Sequence, residues 1–186
     1  MTAFEFEKKF FEILDDELVP ALGCTEPISV AYAAAKAREV LGEMPDKIMI
    51  RCSGGLIKNI SCVYVPNTNN MVGIEASILA GMVGGDSSRK MEVLSTLKKS
   101  HIPKIKALHA QHIVHVSYLD TPLNLHFILR VEKGSSSCEI EIKNLHTNII
   151  RITKNDESVF ELDDVVEKYF GVMSDRKSLT VDRIYA

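Results

Sequence analysis

A cysteine at a tight turn before a predicted helix is the first candidate for chemistry in this sequence. Cys24 follows Gly23 and precedes Glu26, and the alanine-rich run from Ile28 to Leu41 favours a helix. The free N–H groups and the dipole of a helix N-terminus both stabilise negative charge. The position therefore predicts a lowered pKa for the Cys24 thiol. The alternative is a small buried residue at a turn.

The residues around Cys24 are those expected at the start and end of a helix. Thr25 is the expected N-cap, because its hydroxyl can accept a hydrogen bond from the first helical turn. Pro27 suits that first turn, where a missing N–H has no intrahelical partner. Gly42 is expected to end the helix. The alanines between them predict that another element packs closely against this helix.

A second candidate lies where a predicted strand begins, at His146, Thr147 and Asn148. From this position the His146 side chain could extend into a cleft, although a polar turn is the simpler interpretation. If Cys24 and His146 met in the fold, a thiol and an imidazole would form a possible nucleophilic pair. Their separation in the sequence leaves that arrangement open.

The remaining histidines and cysteines do not form a metal-binding pattern. His109, His112 and His115 share a three-residue spacing, but His112 and His115 lie in a strand-like run, which places them on opposite faces. The 4 cysteines are dispersed without a C-x-x-C pair. We therefore expect no metal ligands within this chain.

The elements that must position these residues indicate an α+β fold, with N-terminal helices packed on a mostly antiparallel sheet. Four strand-like runs follow residue 111, separated by short polar loops that are typical of a meander. Two earlier strands are predicted at 47–52 and 57–65. Helices are predicted near 4–17, 27–41, 73–84, 87–99 and 101–109.

Length, composition and charge are ordinary for one globular domain of 186 residues. We expect a single domain over residues 1–172 and a tail or linker over 173–186. The net charge of −3 gives no basic footprint for nucleic acid, and no apolar run is long enough to span a membrane. We expect a cytoplasmic protein that binds neither nucleic acid nor membrane.

Four segments together resemble the N-terminal part of the L-cysteine desulfidase family, relatives of the iron–sulfur L-serine dehydratase alpha chain. The most specific is GCTEPISVAYAAAKA, which begins at Gly23. Lys58-Asn59, the glycine-containing stretch 65–85 and the His146–Asn148 triplet follow in the same order. The resemblance covers most of the chain.

The resemblance implies a lyase that converts cysteine or serine to pyruvate and ammonia, with Cys24 transferring a proton. Glu26, Asn59, His146, Thr147 and Asn148 would then bind the amino-acid substrate. The resemblance also implies a four-iron, four-sulfur cluster, held by cysteines of a C-terminal half that this sequence lacks. We therefore expect no cofactor in this chain alone, and a possible C-terminal-half partner subunit. The alternative is a non-catalytic module that binds an amino acid or regulates a partner.

Overall fold

The chain divides into two compact units, residues 1–20 together with 163–186, and residues 21–162. The computed structural model describes residues 3–18, 20–162 and 180–184. The first unit contains α1 (Ala3–Glu17), which the sequence predicted, and the short α6 (Val181–Ile184). The predicted boundary between a domain ending at residue 172 and a tail lies outside the described residues and stays a prediction.

The second unit contains the other helices and a six-stranded sheet. Its helices are α2 (Thr25–Leu41), α3 (Gly54–Ile60), α4 (Gly73–Gly84) and α5 (Ile102–Ala110), with 3-10 segments at Ser87–Thr96 and Lys99–His101. Its strands are β1 (Lys47–Cys52), β2 (Val114–Tyr118), β3 (His126–Lys133), β4 (Ser136–Lys143), β5 (Ile149–Lys154) and β6 (Glu157–Glu161).

The sheet has the strand order β2-β1-β3-β4-β5-β6. Strands β3 to β6 form an antiparallel meander, and β1 pairs antiparallel with β3. Strand β2 pairs in parallel with β1, so it lies at the opposite edge and is not part of the meander that the sequence predicted. The predicted α+β class with a mostly antiparallel sheet is confirmed.

Helix α2 packs between the sheet and α4 and forms much of the core. Most of its residues from Pro27 to Ala37 are buried, as the alanine-rich composition predicted. A Cβ atom added to Gly81 of α4 would collide with the carbonyl oxygen of Ala31, so the two helices approach at backbone distance. Arg38 of α2 donates to the carbonyl oxygens of Met82 and Gly85 at 2.7 and 2.9 Å, which satisfies the C-terminal end of α4.

Two predicted elements near the site were wrong. The stretch 57–65 was predicted as a strand, but its first half belongs to α3, because Ser53 caps that helix by accepting from the Leu56 N–H. Leu56 and Ile60 then lie four residues apart on one buried helical face. The predicted helix 87–99 is instead a 3-10 segment, interrupted by non-helical backbone at Lys90 and Glu92.

A sixth strand was not predicted at all. The left-handed backbone of Asn155 and Asp156 forms a turn after β5, and the chain then continues as β6 and pairs with β5. All residues of β6 are exposed, so the strand has no buried face whose alternating pattern could have revealed it.

Candidate functional site

The turn before α2 is fixed by contacts with two distant segments. The Leu22 N–H donates to the carbonyl oxygen of Met91 at 3.1 Å. Gly23 has a left-handed φ of 94°, and a Cβ atom there would lie 2.9 Å from Cγ of Pro66. Because a left-handed backbone and a close neighbour both disfavour a side chain, glycine is required at position 23.

Helix α2 begins one residue earlier than a threonine cap would require. Cys24 is the N-cap residue, without a side-chain capping bond, and Thr25 is the first helical residue. The prediction that Thr25 caps the helix was therefore wrong. Its hydroxyl instead donates to Oε2 of Glu26 at 3.1 Å. Cys24 lies at the helix N-terminus, as predicted, and is exposed.

Three side chains converge on the carboxylate of Glu26. The Cys24 thiol and the Thr25 hydroxyl donate to Oε2, at 3.4 and 3.1 Å. The amide of Asn59, on α3, donates to Oε1 at 3.1 Å. The two carboxylate oxygen atoms thus accept hydrogen bonds from residues of two different helices. We call Cys24, Thr25, Glu26 and Asn59 together the Glu26 site.

These hydrogen bonds keep Glu26 ionised. Partial burial alone would raise the pKa of the carboxyl group. The opposing contributions are larger, because its own backbone N–H and the side chains of Cys24, Thr25 and Asn59 all donate to the charged form. The pKa of Glu26 therefore lies below its usual range, and the site holds a negative charge at neutral pH.

The same arrangement overturns the expected activation of Cys24. Partial burial, the hydrogen bond to Glu26 and the charge of that carboxylate raise the pKa of the thiol, whereas the backbone N–H groups of Glu26 and Thr25 lower it less. The pKa of Cys24 is raised, so the prediction of a lowered pKa was wrong. The helix N-terminus does favour an anion, but the Glu26 carboxylate already supplies it.

His146 lies in the loop between β4 and β5, which rests on the first turns of α2. The buried Ser29 hydroxyl donates to the His146 carbonyl oxygen at 2.6 Å. Burial lowers the pKa of the imidazole, and the negative charge of Glu26 raises it by less. The net direction is down, so the ring is neutral at physiological pH and near enough to Glu26 to sense its charge.

The rest of this loop supplies a buried acceptor without a partner. Asn148 is 8% exposed, and its side-chain N–H donates to the Lys143 carbonyl oxygen at 3.0 Å. Its Oδ1 has no hydrogen-bond partner among the described residues. A buried oxygen without a donor is costly, so this position can accept a hydrogen bond from a ligand or a water molecule. Thr147 is half-buried between His146 and Asn148.

The structure therefore brings together four of the six residues singled out from the sequence. Cys24 and Asn59 each donate a hydrogen bond to Glu26, and His146 lies within electrostatic reach of Glu26. Thr147 and Asn148 share the His146 loop, but no described contact joins them to Glu26. The thiol bonds to Glu26 and not to His146, so the thiol–imidazole pair is not the arrangement found.

Sequence reasoning missed the residues that hold the site in place. Ser29 anchors the His146 loop, and Pro66 and Met91 fix the turn before Cys24. Ser29 carried a weak signal, since a hydroxyl within an apolar helix needs a partner when it is buried. Nothing in the sequence pointed to Pro66 and Met91, because they are distant in the chain from the turn that they contact.

The comparisons with known proteins identify relatives named UPF0597 protein. This chain is 48% identical over 154 residues to one from Lachnoclostridium phytofermentans, and the match covers 83% of the chain and 37% of the relative. A relative from Treponema denticola is 41% identical over 177 residues, covering 95% of the chain and 41% of the relative. One from Fusobacterium nucleatum is 35% identical over 178 residues, and the match covers 96% of the chain and 42% of the relative.

The chain thus spans about two fifths of the length of the relatives that it matches. No family model matches the sequence. No solved structure matches it either.

These findings correct the family expected from the sequence. The matched relatives are named UPF0597 proteins, and nothing among them supports an L-cysteine desulfidase or a serine dehydratase-like lyase. The expectation of an iron–sulfur enzyme falls with that resemblance. Across residues 3–18, 20–162 and 180–184, no three histidine, cysteine, aspartate or glutamate side chains are grouped so that they could hold a metal ion.

Within the part of the chain that the structure describes, no helix is both long enough and apolar enough to cross a bilayer.

Proposed function

We propose that the Glu26 site binds a small amino acid, and that Cys24 contributes a protonated thiol to it. The observation that carries the proposal is the convergence of Cys24, Thr25 and Asn59 on the ionised Glu26 carboxylate. A fixed negative charge at a partly exposed position suits an ammonium group, because the charge-assisted hydrogen bond is stronger than a neutral one.

The His146 loop supplies groups for the other end of such a ligand. The neutral imidazole of His146 and the hydroxyl of Thr147 can donate to a carboxylate, and the unpartnered Oδ1 of Asn148 can accept from a donor. The two sets of groups belong to different elements, the first turn of α2 and the β4–β5 loop. A zwitterion has the matching pair of charges.

The raised pKa of Cys24 defines the chemistry that this residue could add. A protonated thiol bonded to a carboxylate is a proton donor with an adjacent acceptor, and not a preformed thiolate nucleophile. We propose that Cys24 and Glu26 exchange a proton with the bound ligand. Because the chain spans about two fifths of its relatives, the remainder of such a longer protein is the proposed partner in any reaction.

Ligand protection of the thiol tests this proposal. The protein is alkylated with iodoacetamide in the presence of each common amino acid, and the modification of every cysteine is followed by mass spectrometry. We expect at least one amino acid to slow the alkylation of Cys24 and to leave Cys62, the other exposed cysteine, unchanged. Calorimetry should give the same dissociation constant as the protection curve.

A matched pair of variants separates the site from general effects of charge. Glu26→Gln removes the proposed ammonium partner, and we expect it to weaken binding about tenfold or more. Glu75→Gln removes an exposed carboxylate from the first turn of another helix, α4, and should bind as the wild type does. Amino-acid binding that survives Glu26→Gln unchanged would exclude this site.

A further inference from the structure

A concentration of positive charge covers the segment from the end of the 3-10 region to β2. No aspartate or glutamate occurs between Glu92 and Asp120. The segment contains four lysines and four of the 6 histidines of the chain, namely Lys98, Lys99, His101, Lys104, Lys106, His109, His112 and His115. We call this the basic surface, and it shares no residue with the Glu26 site.

The lysines of the basic surface are exposed and available. All four are exposed, and none forms an ion pair with any residue that the structure describes. Elsewhere in the described chain, Lys47, Lys133 and Lys143 do pair with carboxylates. Four positive charges within residues 98–106, without a carboxylate partner among the described residues, repel one another unless a negative group approaches.

The exposed face of helix α5 has a strip of small residues with a lysine on each side. Ile105 is fully buried and fixes the inward face of the helix. On the outward side, Pro103, Ala107 and Ala110 are exposed and small, and helical geometry places Lys104 and Lys106 on either side of them. Small residues between flanking lysines allow a partner backbone to approach while its acidic side chains reach the ammonium groups.

From these features we propose that the basic surface docks an acidic segment of a protein, rich in aspartate and glutamate. The segment carries +4, whereas the rest of residues 21–162 carries −2, so the positive charge of this unit is concentrated in the segment. A long nucleic acid would extend past the basic surface, whereas a short acidic segment need contact only the lysines. The exposed strip of α5 also lacks the bulky apolar residues that insert into a membrane.

Fluorescence anisotropy with a labelled peptide of alternating glutamate and alanine tests this inference on the full 186-residue chain. We expect saturable binding at about 0.05 M salt that weakens about tenfold or more at about 0.5 M salt. The double variant Lys104→Glu and Lys106→Glu should lose about tenfold or more in affinity. Lys154→Glu reverses an exposed lysine on β5, outside the basic surface, and should keep the wild-type affinity.

Competition decides between classes of partner. Unlabelled acidic peptide should displace the probe, whereas single-stranded or duplex nucleic acid should do so only at much higher concentration. Tighter competition by nucleic acid, or equal peptide affinity of the lysine double variant and the wild type, would overturn the proposal. Thermal melting of both variants should match that of the wild type, because the substituted side chains are exposed.

Discussion

At the scale of single residues, Glu26 determines the character of the site. Its carboxylate accepts from three side chains and holds its charge, and that charge raises the pKa of Cys24 while opposing the effect of burial on His146. A thiol at a helix N-terminus is often activated. Here partial burial of the thiol, together with the hydrogen bond to Glu26 and the charge of that carboxylate, outweighs that effect, so the same position yields a proton donor.

Replacing Glu26 should make Cys24 more reactive. In Glu26→Gln the negative charge is lost, and the thiolate is no longer repelled, so the pKa of Cys24 falls. We expect alkylation of Cys24 near neutral pH to become about two- to fivefold faster, with the pH–rate profile displaced to lower pH. Quantitative mass spectrometry of iodoacetamide labelling across pH measures this change.

The other cysteines are internal controls in that measurement. Cys62 is exposed and should keep its rate in the variant. Burial raises the pKa of Cys52 to about 12 and that of Cys138 to about 11, so both should react slowest in either protein. A Cys24 profile that is unchanged in Glu26→Gln would show that the carboxylate does not control the thiol.

At the scale of elements, the close approach of α2 and α4 holds the site residues in place. The N-terminus of α2 carries Cys24 and Glu26, and the body of the same helix packs against Gly81. Arg38 further ties α2 to the end of α4. The position of the Glu26 carboxylate therefore depends on helix packing as much as on the turn before it.

The substitution Gly81→Ala tests that packing. Helix propensity and steric fit predict opposite changes in the free energy of unfolding. Helix propensity alone would stabilise α4 by about 1 kcal/mol. The added methyl group would collide with the carbonyl oxygen of Ala31, and such overpacking costs about 2–3 kcal/mol. We expect the collision to dominate and the free energy of unfolding, measured by urea titration, to fall.

Gly42→Ala is the matched control for this glycine. Gly42 has a φ of 93°, but nothing lies within 4 Å of an added Cβ atom. Its replacement should cost about 1 kcal/mol from backbone strain alone. If Gly81→Ala proves as stable as the wild type or more stable, the helices are not in backbone contact.

At the scale of the whole molecule, a network of charges joins three strands of the sheet. Nε2 of His126 lies 2.9 Å from Oε1 of Glu141, and Nδ1 lies 3.0 Å from the Thr121 hydroxyl. Lys143 and Arg151 contact the same carboxylate at 3.3 and 3.2 Å. Burial alone would raise the pKa of Glu141, but these partners outweigh it and the pKa is lowered.

This network should make stability depend on pH. Because the pKa of Glu141 is lower in the folded state than in the unfolded chain, the unfolded chain binds more protons at acid pH. The stabilisation is complete above the ordinary glutamate pKa of about 4.3 and is lost as the pH falls through the folded-state value. Glu141→Gln should therefore flatten the dependence of unfolding free energy on pH below about 4.3.

The variant should also lose stability at neutral pH. Removing one member of a buried charge network leaves its partners without compensation, which costs about 2–4 kcal/mol. Glu157→Gln, at an exposed position of β6, should change neither the free energy of unfolding at neutral pH nor its dependence on pH. Denaturant titrations between pH 3 and 7 measure the free energy of unfolding of each variant. If this free energy depends on pH in the same way in Glu141→Gln and in the wild type, the prediction is contradicted.

The sequence by itself determined the features that depend on local pattern. The alanine run between Cys24 and Gly42 specified a buried helix with Cys24 at its mouth, and alternating residues after position 111 specified most of the antiparallel sheet. Regular periodicity is a local property, so it is visible without knowing what packs against it. Three of the six chosen site residues, Cys24, Asn59 and His146, lie around the carboxylate of a fourth, Glu26.

Only the tertiary structure decided the protonation of the site residues and the contacts between distant segments. Ser53 and the Leu56/Ile60 face made a helix of a segment that alternated like a strand, and this helix carries Asn59 to Glu26. The sign of the Cys24 pKa shift followed from the partial burial of the thiol and from its hydrogen bond to Glu26, which depend on packing rather than on spacing in the chain. The exposed β6 escaped prediction because only its hydrogen bonds to β5, and no buried face, define it.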